Sequence, residues 1–233
     1  MGLLLNKIHT IEAARCFLCQ SVCHTAMHGI CQPCSADLAL NNGSLCRCGL
    51  PFHSTINDSE RPLCGRCLHR PPAFSALHAP YRYQYPLNTL LPAYKYRRRL
   101  DVERALFDLL PATAPGHFDA AVPIPLHWRR HWWRGFNQAH RLAHAAGARW
   151  DMPVLSCLRR QRHTRNQQGM SAKARAKNIS HAFTCVRPVQ DQRLLLIDDV
   201  VTTGATVSEA SQCLLAAGAQ SVEVWALART LLD

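Results

Sequence analysis

Beyond residue 74, apolar residues recur at spacings that change from helical to strand-like and back along the chain. Helical spacing occupies residues 87–110, where Pro92 interrupts it, residues 136–146 and residues 207–217. Gly218 follows the last of these segments and is typical of the end of a helix. Short apolar runs predict strands at residues 120–124, 194–197 and 222–226. The run at 194–197 is continuous, as in a strand buried on both faces. Because strands that alternate with helices form parallel sheets, the sequence predicts an α/β fold.

The cysteines divide the chain into two unequal parts. Nine of the twelve lie within the first 67 residues, and the other three are widely scattered. The segment Arg70-Pro71-Pro72 follows the last of the nine, and its prolines form a stiff segment typical of a linker. We therefore expect a cysteine-rich domain over residues 1–74 and a larger domain over residues 75–233.

Composition excludes several classes of protein. Apolar residues form 48% of the chain, too many for a disordered protein, and no window offers the ~20 apolar residues that span a bilayer. The first residues contain no signal-peptide core, so we expect a soluble cytoplasmic protein without membrane insertion. In the reducing cytosol the cysteines are expected to bind metal rather than to form disulfides. The net charge of +12 favours anionic partners, namely nucleic acid or phosphorylated metabolites.

The most informative segment runs from residue 194 to residue 206. A buried strand has Asp198 and Asp199 at its carboxyl end, and a turn of small residues and the predicted start of a helix follow it. The acids can accept hydrogen bonds from two sugar hydroxyls, and they tolerate a nearby Mg²⁺. The turn offers backbone N–H groups at the positive end of a helix, where a phosphate monoester can bind; the structural alternative is a solvated acidic turn. The turn consists of Thr202, Thr203, Gly204, Ala205 and Thr206.

This segment closely resembles the phosphoribosyl-diphosphate (PRPP) signature of the type I phosphoribosyltransferases. The resemblance implies that Asp198 and Asp199 hold the ribose 2′ and 3′ hydroxyls and that residues 202–206 hold the 5′-phosphate. It also implies Mg²⁺ bound together with PRPP, and a parallel sheet flanked by helices of the phosphoribosyltransferase type.

The resemblance extends over nearly the whole chain to the ComF family, and in particular to its GntX-like members, which are linked to DNA uptake or to the use of DNA as a nutrient. The segments that carry it, in order, are the amino-terminal cysteine pairs, Pro71-Pro72, Tyr94-Lys95-Tyr96, Val122-Pro123-Ile124-Pro125-Leu126, Arg134-Gly135-Phe136-Asn137-Gln138, Thr164 with Gln167, and the phosphate loop. The resemblance implies an amino-terminal double zinc ribbon. It also suggests single-stranded DNA and a DNA-uptake helicase-like protein as partners.

Four close cysteine pairs have the spacing of zinc ligands. Thiolates at this spacing suit structural Zn²⁺, because four of them leave no open position for water. We favour two sequential sites over interleaved ones, and the third pair departs from the family because it is C-x-C where the family has C-P-x-C. The other four cysteines, Cys23, Cys157, Cys185 and Cys213, are interpreted as packing residues. The expected ligands are Cys16, Cys19, Cys31, Cys34, Cys46, Cys48, Cys64 and Cys67.

Two basic segments are candidates for contact with anions. Residues 126–134 interleave Trp and His rings with Arg129, Arg130 and Arg134, which can contact pyrophosphate or single-stranded nucleic acid, or can be solvated beside packed rings. Residues 159–177 resemble in position the loop that closes over phosphoribosyltransferase sites, and a solvated basic helix is the alternative. Lys95 is a further candidate for anion contact, although surface solvation is the usual state of such a residue.

Two functions are consistent with these residues. In the first, binding of PRPP or a nucleotide serves a protein of DNA uptake or utilization, with zinc and basic surfaces that contact nucleic acid or a protein. In the second, the chain is an active transferase that moves ribose 5-phosphate from PRPP to a nitrogen acceptor. A phosphate loop indicates binding rather than turnover, and no catalytic acid, base or acceptor pocket can be assigned from the sequence. The association of the family with DNA favours the first.

Overall fold

The structure, a computed structural model, describes residues 15–23, 26–27, 29–52, 63–96, 99, 101–126, 132, 134–161 and 181–231. Among these residues, the helices and strands alternate in the order expected of an α/β protein. The strands are β1 (Ala26–Met27), β2 (Ile30–Cys31), β3 (Leu77–His78), β4 (Tyr81–Arg82), β5 (Ala120–Pro123), β6 (Leu158–Arg160), β7 (Phe183–Cys185), β8 (Arg193–Val201) and β9 (Ser221–Arg229). The helices are α1 (Gln32–Ala36), α2 (Gly65–His69), α3 (Leu87–Tyr96), α4 (Asp101–Asp108), α5 (Gln138–Trp150) and α6 (Ala205–Ala216).

The central sheet has the strand order β3-β9-β8-β5, and β4 also pairs with β9. Every pairing in this sheet is parallel, which confirms the predicted mixed α/β fold with a mostly parallel sheet. Two small antiparallel pairs, β1 with β2 and β6 with β7, lie outside it. None of the helices in the described segments has both the length and the apolar content needed to cross a membrane.

Strand β8 is apolar at consecutive positions because helices cover both faces of the sheet there. Leu195 and Ile197 belong to the core that contains residues of α3 and α5. Leu194 and Leu196 belong to a second core, on the side of α6. All four side chains are fully buried, as expected for a central strand of a parallel sheet.

Two predicted helix boundaries differ from the observed ones. The prediction that Pro92 interrupts the helical spacing was wrong locally, because α3 continues through Pro92 to Tyr96. Proline removes the hydrogen bond to the carbonyl four residues earlier, and that residue, Asn88, is exposed to water. Helix α5 begins at Gln138 rather than at Phe136, because the side chain of Asn137 accepts a hydrogen bond from the backbone N–H of Ala139 and caps the helix.

The cysteine-rich part packs directly on the α/β part. Cys16 and Cys31 belong to the same apolar core as Leu87 of α3. Further along, the Asn41 side chain donates hydrogen bonds to the carbonyls of Gly49 and Ala79, at 3.0 and 3.1 Å. The boundary near residue 74 stays a prediction, and the central sheet begins just beyond it with β3.

Candidate functional site

The two acidic residues lie near the carboxyl end of β8. This is the position expected from the sequence, although β8 extends two residues beyond Asp199, to Val201. Consecutive side chains of a strand face opposite sides of the sheet, so Asp199 lies on the side of α3 and α5 and Asp198 on the side of α6. Both backbone positions lie at the edge of the sheet where ligands of open α/β folds bind.

Asp199 forms an ion pair with Lys95 from the last turn of α3. The Nζ of Lys95 lies 2.6 Å from Oδ2 of Asp199, and the two side chains are 17% and 12% exposed. Burial lowers the pKa of Lys95, but the pairing with Asp199 outweighs burial and raises the pKa above its ordinary value. Lys95 is therefore a protonated cation inside the site rather than a solvated surface lysine.

Asp198 faces the other side of the sheet. Burial and the neighbouring charge of Asp199 raise the pKa of Asp198 to about 7, although the positive charges of Lys95 and Arg160 both act to lower it. Near neutral pH this carboxyl group is thus divided between its protonated and ionised forms. A cation or a hydroxyl donor that approached Asp198 would favour the ionised form and release a proton.

The candidate phosphate loop, residues 202–206, joins β8 to α6. Gly204 is the N-cap of α6 and has φ +80°, a left-handed conformation that favours glycine. A Cβ at Gly204 would meet no atom within 4 Å, so the conformation rather than crowding within the protein calls for glycine. Ala205 and Thr206 lie in the first turn of α6, whose N–H groups have no partners within the helix, and no acidic residue lies in this turn. The Ala205 N–H donates a long hydrogen bond of 3.4 Å to Oγ1 of Thr203. The loop can therefore bind an anion by its backbone.

Of the predicted basic contacts, Arg134 lies among the described residues, whereas Arg129 and Arg130 do not. The Arg134 guanidinium stacks over the Tyr96 ring at 4.8 Å and donates a hydrogen bond of 3.1 Å to Oε1 of Gln138. The Nε2 of Gln138 is buried and makes no hydrogen bond to any described residue. The second basic segment lies outside the described residues except for Arg159, Arg160 and Gln161.

The eight expected metal ligands gather into two groups of four cysteines. In each group the Sγ atoms all lie within 4.8 Å of one another, so each group could hold one structural zinc ion. The grouping is the sequential one, and both cysteines of the unusual C-x-C pair belong to the second group. Cys23 is not a member of the first group. The first group is Cys16, Cys19, Cys31 and Cys34; the second is Cys46, Cys48, Cys64 and Cys67.

One sulfur atom in each group accepts hydrogen bonds from backbone amides. Backbone amides donate to Sγ of Cys16 from Leu18 and Cys31, each at 3.4 Å, and to Sγ of Cys46 from Cys64 at 3.2 Å. Burial raises the pKa of Cys16, but hydrogen bonds from backbone amides outweigh burial and lower the pKa to about 6. Amide donors of this kind stabilise the negative sulfur that a zinc ion requires.

Some residues near the site were not anticipated from the sequence. Arg229, at the end of β9, and Arg66, on α2, both donate hydrogen bonds to carbonyls of the candidate phosphate loop.

The three scattered cysteines, Cys157, Cys185 and Cys213, lie close enough in the fold for the Cys185 thiol to affect the pKa values of the other two. Burial and the neighbouring Cys185 thiol raise the pKa of Cys157 to about 12, and burial with the same neighbour raises the pKa of Cys213. Long-range contacts of this kind leave no pattern in the local sequence.

The chain is similar in sequence to proteins that are named for DNA utilization and for competence. The chain is 39% identical over 230 residues to the DNA utilization protein YhgH of Salmonella typhimurium, which covers 93% of this chain and 97% of that protein. It is 31% identical to Competence protein F of Haemophilus influenzae, over 92% of this chain and 96% of that protein. It is 28% identical to Competence protein ComFC of Bacillus subtilis, over 86% and 84%. The chain matches no protein-family model.

Proposed function

Because the chain belongs to the ComF family of competence and DNA-utilization proteins, we propose that it binds PRPP together with Mg²⁺ and acts in DNA uptake or in the use of DNA as a nutrient. The observation that carries the proposal is the juxtaposition of two acids at the end of β8 with an anion-receptive helix start only a few residues later. A sugar that carries a phosphate group and vicinal hydroxyls presents the complementary chemistry.

In this proposal the fold of residues 75–233 is of the type I phosphoribosyltransferase kind. Asp198 and Asp199 accept hydrogen bonds from the ribose hydroxyls, and the N–H groups of residues 202–206 hold the 5′-phosphate. Arg134, with Arg129 and Arg130, contacts the pyrophosphate or a nucleic acid. The parallel order of β5, β8 and β9 supports the fold, because it brings the loop after β8 to the ligand-binding edge of the sheet.

We propose that the protein is cytoplasmic. Its residues 1–74 form a double zinc ribbon, with one structural zinc ion in each cysteine group. Its proposed partners are single-stranded DNA and a helicase-like protein of DNA uptake. The net charge of +12 supports contact with nucleic acid. If this contact is electrostatic, the affinity for a single-stranded oligonucleotide falls steeply as salt is added.

The experiment is a calorimetric titration of the zinc-loaded protein with PRPP and Mg²⁺, with and without oligonucleotide. We expect saturable binding, and we expect the double variant Asp198→Asn, Asp199→Asn to weaken it by about 10- to 100-fold, as for the loss of hydrogen bonds to charged groups. The matched control is Asp191→Asn, an exposed acid before β8 at the other end of the strand. Unaltered affinity in the double variant with unchanged zinc content would mean that the acids do not hold the ribose.

A second candidate function is transfer of ribose 5-phosphate to a nitrogen acceptor. The pKa of Asp198, raised to about 7 by burial and by Asp199, favours this candidate, because a carboxylate that titrates near neutrality can take a proton from an attacking nitrogen. Pyrophosphate release from PRPP in the presence of a panel of nitrogen bases tests it. Binding of PRPP without release for any acceptor would leave the binding function alone.

A further inference from the structure

Arg229 connects the second cysteine group to the candidate phosphate loop. Its side chain is 1% exposed, although it carries a guanidinium group. Nε donates to the carbonyl of Cys48 at 2.9 Å, and Nη1 donates to the carbonyls of Val201 and Thr230 at 3.1 and 2.8 Å and to that of Thr202. In the described part of the chain, its hydrogen bonds thus go to backbone carbonyls on both sides of the junction.

Arg66 makes a parallel connection from the metal-binding side. It lies on α2 between Cys64 and Cys67, and its Nη2 donates to the carbonyl of Thr203 at 3.3 Å. The two arginines together hold the carbonyls of three consecutive residues, 201 to 203, from the side of the second cysteine group.

This arrangement fixes which way the peptide groups of the loop are turned. Peptide groups are planar, and residues 201–204 contain no cis peptide bond. In a trans peptide the carbonyl and the following N–H point in opposite directions. Holding the carbonyls of residues 201–203 on one side therefore turns the N–H groups of residues 202–204 to the other side, where the proposal places the phosphate.

Packing restrains Val201, which belongs to the core on the side of α6, but it leaves space beside the loop. A cavity of about 160 Å³ separates α2 from the beginning of α6, and Arg66, Phe74, Gly204, Ser208 and Arg229 are among the residues that line it. The Val201 carbonyl also accepts a hydrogen bond from the backbone N–H of Thr230, at 3.0 Å. Since side chains do not fill this space, the hydrogen bonds of Arg66 and Arg229 are what restrains the carbonyls of Thr202 and Thr203 from this side. The guanidinium groups also suit their surroundings, because four thiolates around one Zn²⁺ carry two negative charges in total.

We infer that Arg229 and Arg66 are positioning residues that make the phosphate-binding form of the loop depend on the second cysteine group. The inference rests on the proposed function, since it takes residues 202–206 as the phosphate site. The first cysteine group packs in the apolar core with α3 instead. Among the described residues, no hydrogen bond joins this group to the loop. The two groups are therefore expected to differ in their effect on the loop.

The test compares amide hydrogen exchange of peptides covering residues 200–210 in the full zinc-loaded protein, without ligand, and affinity for ribose 5-phosphate by calorimetry. The variants are Arg66→Gln, which alters an exposed side chain, and Arg229→Lys, which keeps the charge but cannot donate to four carbonyls. The matched control is Arg149→Met, because Arg149 also donates to a carbonyl, that of Leu110, far from the loop. Zinc content is measured for each variant.

We expect both variants to accelerate exchange in this segment several-fold and to weaken ribose 5-phosphate binding by about tenfold, while the control changes neither. If Arg229→Lys fails to fold, Arg66→Gln decides the matter alone. Unchanged exchange and affinity in Arg66→Gln, with zinc retained, would overturn the inference and leave the proposed function intact. Accelerated exchange in a protein whose wild type binds neither PRPP nor ribose 5-phosphate would keep the positioning role and refute the proposed function.

Discussion

Replacing Asp198 with asparagine should stabilise the folded protein at alkaline pH. Burial and the charge of Asp199 raise the pKa of Asp198 from 3.8 to about 7, which at about 1.4 kcal/mol per unit disfavours its ionised form by about 4 kcal/mol. The folded state therefore binds this proton more tightly than the unfolded state does. This carboxyl lowers stability progressively as the pH rises from about 4 to about 7, and the full loss persists above that range.

The asparagine variant escapes this loss because it does not ionise. Between about pH 5.5 and pH 8.5 the stability difference in favour of Asp198→Asn should grow by about 2 kcal/mol. Urea unfolding at fixed zinc concentration measures it, and the series stops at about pH 5.5 because zinc–thiolate sites lose metal in acid. The control Asp191→Asn alters an exposed acid and should show no comparable trend.

A difference that is independent of pH, or a variant that is less stable than the wild type at pH 8.5, would refute the reasoning. Either result would mean that Asp198 is ionised in the folded protein without cost. The ligand provides a second readout, because PRPP with Mg²⁺ should favour the carboxylate and release a fraction of a proton near pH 7. Titrations in buffers of different ionisation enthalpy detect that release, and Asp198→Asn should reduce it to the part that the phosphate groups of the ligand contribute.

Three further predictions concern other parts of the molecule. Lys95→Met leaves the buried Asp199 carboxylate without its cation and should lower the free energy of unfolding by about 3–5 kcal/mol. The double variant Lys95→Met, Asp199→Leu should lower it less. Equal losses of stability in urea unfolding would contradict the ion-pair account. Cys48→Ser should reduce zinc from two ions to one by elemental analysis, and a variant that retains both would exclude Cys48 as a ligand. Gly204→Ala should cost about 1 kcal/mol in thermal or urea unfolding because φ is +80°, and Gly204→Asn should cost less; a neutral alanine variant would show that the loop adopts another conformation.

The elements that could be predicted from the sequence are those whose surroundings are uniform along the chain. Strand β8 is covered on both faces, so its residues form an unbroken apolar run that identifies it. By contrast, β3 and β4 are two residues long and mix Leu77 and Tyr81 with His78 and Arg82 at the edge of the sheet, so no periodicity reveals them. Local pattern thus located the central strands and missed the edge.

The candidate site follows the same division. Asp198, Asp199 and residues 202–206 lie close together along the chain, so the sequence predicts them as one candidate site. The cysteine pairs have short spacing, and the structure confirms that they gather into two groups. The ion pair of Lys95 with Asp199 joins the end of α3 to the end of β8, and only the folding of the chain brings these ends together. Arg229 lies at the end of a strand and belongs to no motif. Its role depends on contacts with residues that are distant in the sequence, so the sequence alone did not indicate it.

The burial of Arg229 has a consequence for dissecting the protein. A fragment that began at residue 75 would lack the carbonyl of Cys48, so the Nε of Arg229 would face a gap instead of an acceptor. The same truncation would expose Leu87 to water, because Leu87 shares its apolar core with Cys16 and Cys31. We therefore expect the two parts of the chain to unfold in one cooperative transition, and residues 75–233 to be insoluble when they are produced alone.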